Sequence, residues 1–123
     1  MTKERLALGK LGEDLAFKKI KRLGYKRIVR NYRCPLGEVD LIARDDETLV
    51  FIEIKTRKGS KSAGRAKEAV DERKKRQLSR VALAYMKSHE CIETKARFDV
   101  VAVSFEGDRA KIEVVKNAFD LDY

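Results

Sequence analysis

Apolar residues recur at three- and four-residue intervals in two parts of the chain, and this spacing predicts two helices. The first covers residues 2–23, and Gly24 provides its expected stop. Its apolar face carries Leu8, Leu11, Leu15, Ala16, Ile20 and Leu23. The second covers residues 66–86 and presents a basic face opposite its apolar one. Both helices are therefore expected to pack one face against a core.

Short apolar runs bounded by turn residues predict the strands. Three of them, residues 25–33, 38–44 and 49–56, follow the first helix. Residues 97–105 form a nearly continuous apolar run, which is typical of a strand covered on both faces. Residues 110–119, after the turn-forming "EGDR", are expected to add one more strand at the edge of the sheet.

The order helix, three strands, helix, strand predicts an α/β fold with a mixed central sheet flanked by helices. Residues 57–69 are rich in glycine, serine and lysine, have no apolar period and predict an exposed loop. The second helix is long enough to return the chain to a fourth strand parallel to the third, by the usual right-handed crossover. A length of 123 residues with 43% apolar content predicts a single domain, residues 1–123, with one core.

Strands 38–44 and 49–56 are expected to form a hairpin centred on Asp46 and Glu47. This centre fixes which residues oppose one another: Asp40 with Glu53, Glu38 with Lys55, and Ile42 with Phe51. Opposed residues of an antiparallel pair point to the same side of the sheet, with Cβ atoms roughly 4.5 to 5.5 Å apart. The other side is expected to be wholly apolar, with Val39, Leu41, Ala43, Val50, Ile52 and Ile54. Charged residues thus gather at one end of one face.

Two carboxylates as close as Asp40 and Glu53 repel each other unless one is protonated or a cation lies between them. Mg²⁺ relieves the repulsion, because it binds carboxylates, a backbone carbonyl and waters, and leaves positions for phosphate oxygens. Lys55 lies two residues beyond Glu53, roughly 6.6 to 7 Å along the strand. Its ammonium could position a water or neutralise charge on a phosphate. The alternative is an ion-pair network at the rim of the sheet, with Glu38 paired to Lys55.

Net charge is +9, and it is unevenly distributed. Residues 18–36 contain eight bases and no acids, and residues 57–80 contain ten bases against three acids. Two basic blocks around one acidic cluster suit a polyanion that meets a metal, although a solvated basic surface would give the same composition. No apolar window approaches a membrane span and the N-terminus lacks a signal peptide pattern, so a cytoplasmic protein with no membrane partner is expected.

Zinc and imidazole chemistry are poorly provided for. Cys34 and Cys91 belong to no CxxC pattern and are expected to be reduced thiols. His89 is the only histidine, and its position predicts a surface or helix C-cap role.

An aspartate followed across a short hairpin by E-x-K resembles the defining pattern of the PD-(D/E)xK, or restriction-endonuclease-like, superfamily. Four segments, in order, resemble the YraN-type family of predicted bacterial endonucleases, which is related to archaeal Holliday junction resolvases. They are "LGKLGEDLAFKKIKRLGY", "RNYRCPLGEVDLIARDDETLVFIEIKTRKG", "EAVDERKKRQLSRVALAYM" and "RFDVVAV". The resemblance implies a restriction-endonuclease-like αβββαβ core. It also implies a Mg²⁺-dependent endonuclease, with Mn²⁺ as a substitute, that hydrolyses phosphodiester bonds of DNA, including branched or junction DNA, and it is compatible with a homodimer.

The resemblance also implies roles for single residues. Asp40 and Glu53 would bind the metal with the carbonyl of Ile54, Lys55 would be the catalytic lysine, and Glu13 would face the metal through a water. Without the resemblance, the sequence pattern would predict that Glu13 is an ordinary solvated helix residue. The residues expected to contact nucleic acid are Arg33, Arg57, Lys58, Lys61, Arg65, Lys74 and Gln77. Two alternatives stay open: a non-catalytic nucleic-acid-binding protein that retains the fold, and a basic adaptor for an acidic protein.

Overall fold

A computed structural model describes residues 2–59 and 70–120. The elements in chain order are α1 Lys3–Arg22, β1 Lys26–Cys34, β2 Gly37–Asp45, β3 Thr48–Lys58, α2 Glu72–Ser88, β4 Ala96–Glu106 and β5 Arg109–Phe119. The predicted helices and strands are confirmed in type and order, including the fifth strand. Residues 66–69 of the predicted second helix, as well as Lys61 and Arg65, lie outside the described residues.

Each helix begins at a side chain that satisfies a free backbone N–H of its first turn. The Thr2 hydroxyl accepts from the Arg5 N–H at 3.2 Å, and the Asp71 carboxylate accepts from the Lys74 N–H at 2.8 Å. Gly24 follows α1 with φ +95°, a conformation that glycine adopts without a Cβ penalty. The cap at Asp71 fixes the first turn of α2 and therefore the point at which the Lys74 side chain leaves the helix.

The sheet has the order β1-β2-β3-β4-β5. β3 and β4 are parallel and joined through α2, and the other neighbours are antiparallel. The two helices lie on opposite faces. α1 packs Ala16 and Ile20 into one apolar cluster, while α2 packs Leu78 and Val81 into the other, which also contains Phe51. The predicted mixed sheet flanked by helices is confirmed. The internal strand β4 is buried on both faces.

The predicted hairpin register between β2 and β3 is confirmed where the two strands pair. Asp45 opposes Thr48 across the turn, where Asp46 has φ +53°, and the pairing continues through Ile42–Phe51 to Leu41–Ile52. Phe51 and Ile42 join the cluster under α2, and Leu41 and Ile52 join the cluster under α1.

Two expectations for the start of β2 are wrong. Val39 packs in the α2 cluster with Ile42, although strict alternation would put it on the face of Leu41. The expected opposed pairs of Glu38 with Lys55 and of Asp40 with Glu53 are not observed either, because the pairing of β2 with β3 ends at Leu41–Ile52. Glu38 instead forms an ion pair with Arg33 on β1 at 3.0 Å. Beyond the last pair, the Asp40 side chain accepts the Ile54 N–H.

Gly12 lets α1 approach β3 closely. A Cβ placed at Gly12 would overlap Oγ1 of Thr56 and lie 2.9 Å from its Cγ2, whereas one placed at Gly9, also inside α1, would meet nothing within 4 Å. The absent side chain thus brings the next residue, Glu13, to the end of the sheet where β2 and β3 carry their charges.

Gly12→Ala and Gly9→Ala should therefore change stability in opposite directions. Alanine at Gly12 must push α1 away from Thr56, and we expect a loss of about 1–3 kcal/mol in the free energy of unfolding. Alanine at Gly9 gains helix propensity without a clash and should stabilise by up to about 1 kcal/mol. Urea unfolding followed by circular dichroism measures both. Equal effects of the two substitutions would contradict the close approach.

Candidate active site

Asp40 lies where β2 and β3 separate. Beyond the Leu41–Ile52 pair, its Oδ2 accepts a hydrogen bond from the backbone N–H of Ile54 at 2.7 Å. The Glu53 carboxyl lies within hydrogen-bonding reach of the Asp40 carboxyl. The N–H and the C=O of one strand residue point to the same neighbouring strand, so the Ile54 carbonyl also faces the side of Asp40. Three oxygen donors therefore converge at this end of the sheet.

Glu53 is buried, with 6% of its surface exposed, and one of its oxygens is not satisfied. Among the described residues, Oε2 has no hydrogen-bond partner. The Nζ of Lys74 lies 3.6 Å from this oxygen and forms an ion pair with it. A buried carboxylate oxygen without a hydrogen bond is costly, so this atom marks a place where a further donor or a cation would be stabilising.

A second buried carboxylate shows the contrast. Asp99, beside Ile52 on the neighbouring strand β4, is 1% exposed and accepts hydrogen bonds from the Tyr25 hydroxyl at 2.7 Å, the Arg97 Nε at 2.9 Å and the Asn117 N–H at 3.0 Å. Arg97 also binds Asp45 at 2.7 Å. The polar atoms of this network are partnered, which fits a structural role. Sequence reasoning did not anticipate it, because its members are far apart in the chain.

The proximity of Glu53 alters the pKa of Asp40. Burial, followed by the contact with Glu53 and its charge, raises the pKa of Asp40 from its ordinary value of 3.8 to about 8. The Ile54 N–H and the Lys74 ammonium oppose this rise in the pKa. Without a cation, Asp40 therefore holds a proton near neutral pH.

The proton held by Asp40 predicts how stability depends on pH in the absence of metal. The unfolded chain releases the Asp40 proton near pH 3.8, whereas the folded protein holds it to about pH 8. Because the folded state binds more protons in this window, its stabilisation is full below the lower pKa and is lost as pH rises to about 8. The free energy of unfolding in EDTA should therefore decrease between about pH 5 and about pH 8.

Asp40→Asn tests this pH dependence. Asparagine still accepts the Ile54 N–H but cannot ionise, so the variant should vary less with pH and be more stable than the wild type at about pH 8, by on the order of a few kcal/mol. Thermal unfolding of both proteins in EDTA, across this pH range, gives the comparison. A variant less stable than the wild type at the upper pH, with an unchanged dependence on pH, would contradict the raised pKa.

Glu13 approaches the carboxylates from the α1 side. Partial burial and then the negative charge of Asp40 raise the pKa of Glu13, while Arg30 opposes the rise. Glu13 lines a cleft of about 500 Å³ together with Arg5, Lys10 and Asn31. The neighbouring Asp14 binds Arg30 at 2.7 Å. The charge of Asp40 thus acts on Glu13, and the role that the resemblance implies for Glu13 stays a prediction.

Lys55 lies in a cleft on the α2 side, of about 310 Å³. Lys74 and Gln77, both predicted to contact nucleic acid, line this cleft with Lys55, and Asp71 and Arg73 complete the lining. Gln77 packs against Gly37, where an added Cβ would lie 2.7 Å from its Nε2. Arg73 was missed as a site residue, since its alignment with Lys55 depends on how α2 crosses the sheet.

The other predicted nucleic-acid contacts are more dispersed. Arg57 and Lys58 line a groove of about 810 Å³ with the first turns of α1. Arg33 is largely exposed on β1, where it pairs with Glu38. Lys61 and Arg65 are not among the described residues. The structure therefore brings Asp40, Glu53, Lys55, Lys74 and Gln77 to one end of the sheet and leaves Arg33 on the edge strand.

The donor set fits a hard divalent cation better than zinc. The described residues contain no group of three or more His, Cys, Asp or Glu side chains placed to hold a metal. The site offers a carbonyl and two carboxylates, one of which has an unsatisfied buried oxygen, and Mg²⁺ needs few protein ligands because it keeps several waters. Cys34 and Cys91 are free thiols, as expected, and His89 caps the C-terminus of α2.

Comparisons with known proteins identify relatives across the whole length of the chain. A family model described as "Uncharacterised protein family UPF0102" matches residues 12–103, a range that contains Glu13, Asp40, Glu53, Lys55 and Lys74. A UPF0102 protein of Geobacter sulfurreducens is 46% identical over 94% of this chain and 91% of its own length. The corresponding proteins of Syntrophotalea carbinolica and Moorella thermoacetica are 44% and 43% identical over 99% and 97% of this chain, and over 98% and 100% of their own lengths.

In the described part of the chain, neither helix is long and apolar enough to cross a membrane. The family model covers the segment from the buried Gly12, within α1, to Val103, within β4, which holds the whole of α2 and the carboxylates of Glu13, Asp40 and Glu53. The chain belongs to the UPF0102 family.

Proposed function

We propose that this protein is a Mg²⁺-dependent endonuclease of the PD-(D/E)xK type that hydrolyses phosphodiester bonds of DNA in the cytoplasm. One observation carries the proposal: a carboxylate pair, the half-buried Asp40 and the buried Glu53, in which an oxygen of Glu53 has no hydrogen bond among the described residues, beside a cleft lined by Lys55. The resemblance of the hairpin segment to YraN-type endonucleases supports it, as does the αβββαβ order of the core.

The metal would be held by the carboxylates of Asp40 and Glu53 and by the carbonyl of Ile54. When bound, Mg²⁺ supplies a Lewis acid that lowers the pKa of water and neutralises phosphate charge. Asp40 is kept in place by the Ile54 N–H, which leaves its other oxygen free to bind. Glu13 carries a carboxyl with a raised pKa next to Asp40 and can hold or accept a proton from water on that side.

The bases act on the substrate. Lys55 donates hydrogen bonds to a phosphate oxygen in the α2 cleft and stabilises the charge that develops there during attack. Arg73 and Gln77 hold the adjacent backbone in the same cleft, and Arg57 and Lys58 extend the basic surface along the groove beside α1. Binding is therefore expected to depend on phosphate charge more than on base sequence.

A non-catalytic nucleic-acid-binding protein is the second candidate. The basic clefts and the net charge of +9 would suffice for that role. It does not explain why two carboxylates lie together among these bases, where they repel phosphate and where Glu53 raises the pKa of Asp40. The carboxylate pair therefore favours the enzyme.

The test is incubation of the purified protein with supercoiled, branched and single-stranded DNA and with RNA, in Mg²⁺, Mn²⁺ or EDTA. The proposal predicts cleavage of at least one DNA substrate in either metal and none in EDTA. Binding to all substrates without cleavage in either metal would favour the non-catalytic candidate. Cleavage of branched DNA at paired positions would indicate that two protein copies act together.

A further inference from the structure

Lys74 holds an unusual position for a base on a nucleic-acid-binding helix. Its Nζ lies 3.6 Å from the buried Oε2 of Glu53, the oxygen that lacks a hydrogen bond among the described residues. The Asp71 cap fixes the backbone of Lys74 in the first turn of α2. Among the described residues, the ion pair of the Glu53 carboxylate is with the Lys74 ammonium.

A divalent cation bound by Glu53 would have to share this position with the ammonium. Two positive charges a few ångströms apart in a partly buried site repel strongly, because little water is available to screen them. Lys74 and a metal ion are consequently expected to compete for Glu53.

The Lys74 side chain also borders a cleft in which its ammonium can reach a different partner. Its side chain is 32% exposed and lines the cleft that also contains Lys55, Arg73 and Gln77. The flexible stem of a lysine lets the ammonium move by several ångströms while its backbone stays fixed. A phosphate in the cleft would then offer Lys74 a new partner when the cation takes its place at Glu53.

We propose that Lys74 is an exchangeable internal counter-ion: it pairs with Glu53 in the metal-free protein and moves to a substrate phosphate when a divalent cation binds. The inference rests on the proposed function, because it takes Glu53 as a metal ligand and the cleft as the phosphate site. Lys74 acts as a positioning residue that couples the two binding events. Metal binding and DNA binding should each increase the affinity for the other, since coupling of binding free energies is reciprocal.

Mn²⁺ affinity without nucleic acid tests the competition. Lys74→Gln removes the competing ammonium and should bind Mn²⁺ about tenfold more tightly than the wild type, as measured by titration with electron paramagnetic resonance of free Mn²⁺. Lys74→Arg keeps the charge and should bind like the wild type. Lys75→Gln makes the same charge change on a neighbouring lysine that pairs with Glu72, and should also match the wild type. Equal or weaker Mn²⁺ binding by Lys74→Gln would overturn the competition.

DNA affinity, measured by fluorescence anisotropy in Ca²⁺ and in EDTA, tests the movement to phosphate. Ca²⁺ serves as the divalent cation because it binds oxygen ligands in flexible geometry, whereas Mg²⁺ requires a nearly ideal octahedron. Wild-type protein should bind DNA several-fold more tightly in Ca²⁺, and Lys74→Gln should lose most of this gain, whereas Lys75→Gln should keep it. A gain that is unchanged in Lys74→Gln would overturn the coupling.

These outcomes separate the inference from the proposed function. Cleavage by the wild type together with equal Mn²⁺ affinity in Lys74→Gln would overturn the exchange while leaving the enzyme. Tighter Mn²⁺ binding by Lys74→Gln, with no cleavage of any substrate by the wild type, would support the competition at Glu53 and count against the endonuclease. Thermal unfolding confirms that each variant is folded, and Lys74→Arg supplies a folded comparison if Lys74→Gln is not.

Discussion

Replacing Lys55 with alanine is expected to slow metal-dependent DNA cleavage by about 10²- to 10³-fold. The ammonium lies in the α2 cleft beside the buried Glu53, where it can donate to a phosphate oxygen as charge develops. Because its largest contribution arises in the transition state, DNA affinity in Ca²⁺ should fall much less than the cleavage rate. Single-turnover cleavage and anisotropy, measured on the same preparation, separate the two effects.

Lys111→Ala is the matched control for this variant. Lys111 is an exposed base on the edge strand β5, two strands away from β3, which carries Lys55. Its replacement removes the same charge, and Lys111 does not line the α2 cleft. The cleavage rate of this variant should stay within about twofold of the wild type, since a single distant surface charge acts only through the screened field. Equal losses of rate in Lys55→Ala and Lys111→Ala would show that net charge alone matters and would remove Lys55 from the site.

Asp40→Asn is expected to reduce cleavage further, by about 10³-fold, which corresponds to about 4 kcal/mol of transition-state stabilisation. The substitution keeps the acceptor for the Ile54 N–H and removes the negative charge that a divalent cation needs. The same variant is expected to be more stable than the wild type in EDTA at about pH 8. Loss of activity in a more stable protein cannot be attributed to unfolding.

Asp108→Asn serves as the control for the loss of one carboxylate. Asp108 lies exposed in the turn between β4 and β5, and its replacement should leave both the cleavage rate and the pH dependence of stability unchanged. If Asp40→Asn retained cleavage within a few-fold of the wild type, Asp40 would not be a metal ligand.

Much of the fold could be predicted because its elements follow from local patterns. The turn at Asp46 and Glu47 sets the centre of the hairpin, and the pairing of Ile42 with Phe51 follows from that centre alone. The apolar run in β4 indicates burial on both faces, which the structure confirms. Asp40 and Glu53 lie just beyond the last pair of this register, Leu41 and Ile52, so the spacing of charged residues about the turn predicts that their carboxyls converge, although the two residues are not a directly opposed pair.

The details that escaped prediction depend on contacts between distant segments. Val39 lies on the α2 side because regular pairing ends at Asp40, whose side chain binds the Ile54 N–H. Glu38 does not oppose Lys55, because the regular pairing of β2 with β3 ends before it, and its ion pair is with Arg33 across the short turn from β1. Spacing about the turn at Asp46 and Glu47 indicates neither outcome.

The position of Lys74 has the same origin. Its distance from Glu53 depends on where the crossover places the first turn of α2 over β3, and sequence reasoning predicted a contact with nucleic acid alone. The close packing of Gly12 on Thr56 likewise sets the approach of Glu13 and depends on the angle between α1 and the sheet. Tertiary geometry therefore decides which charged residues meet, and the local pattern decides which ones are available.

The most direct test of the account compares the nicking of supercoiled DNA by the wild type and by Asp40→Asn, purified in parallel, in Mg²⁺, Mn²⁺ and EDTA. The account predicts nicked circles with the wild type in Mg²⁺ or Mn²⁺, none in EDTA, and about 10³-fold slower nicking by Asp40→Asn in the same metals. Equal nicking by the two proteins, or nicking by the wild type that persists in EDTA, would contradict a metal-dependent site built on Asp40 and Glu53.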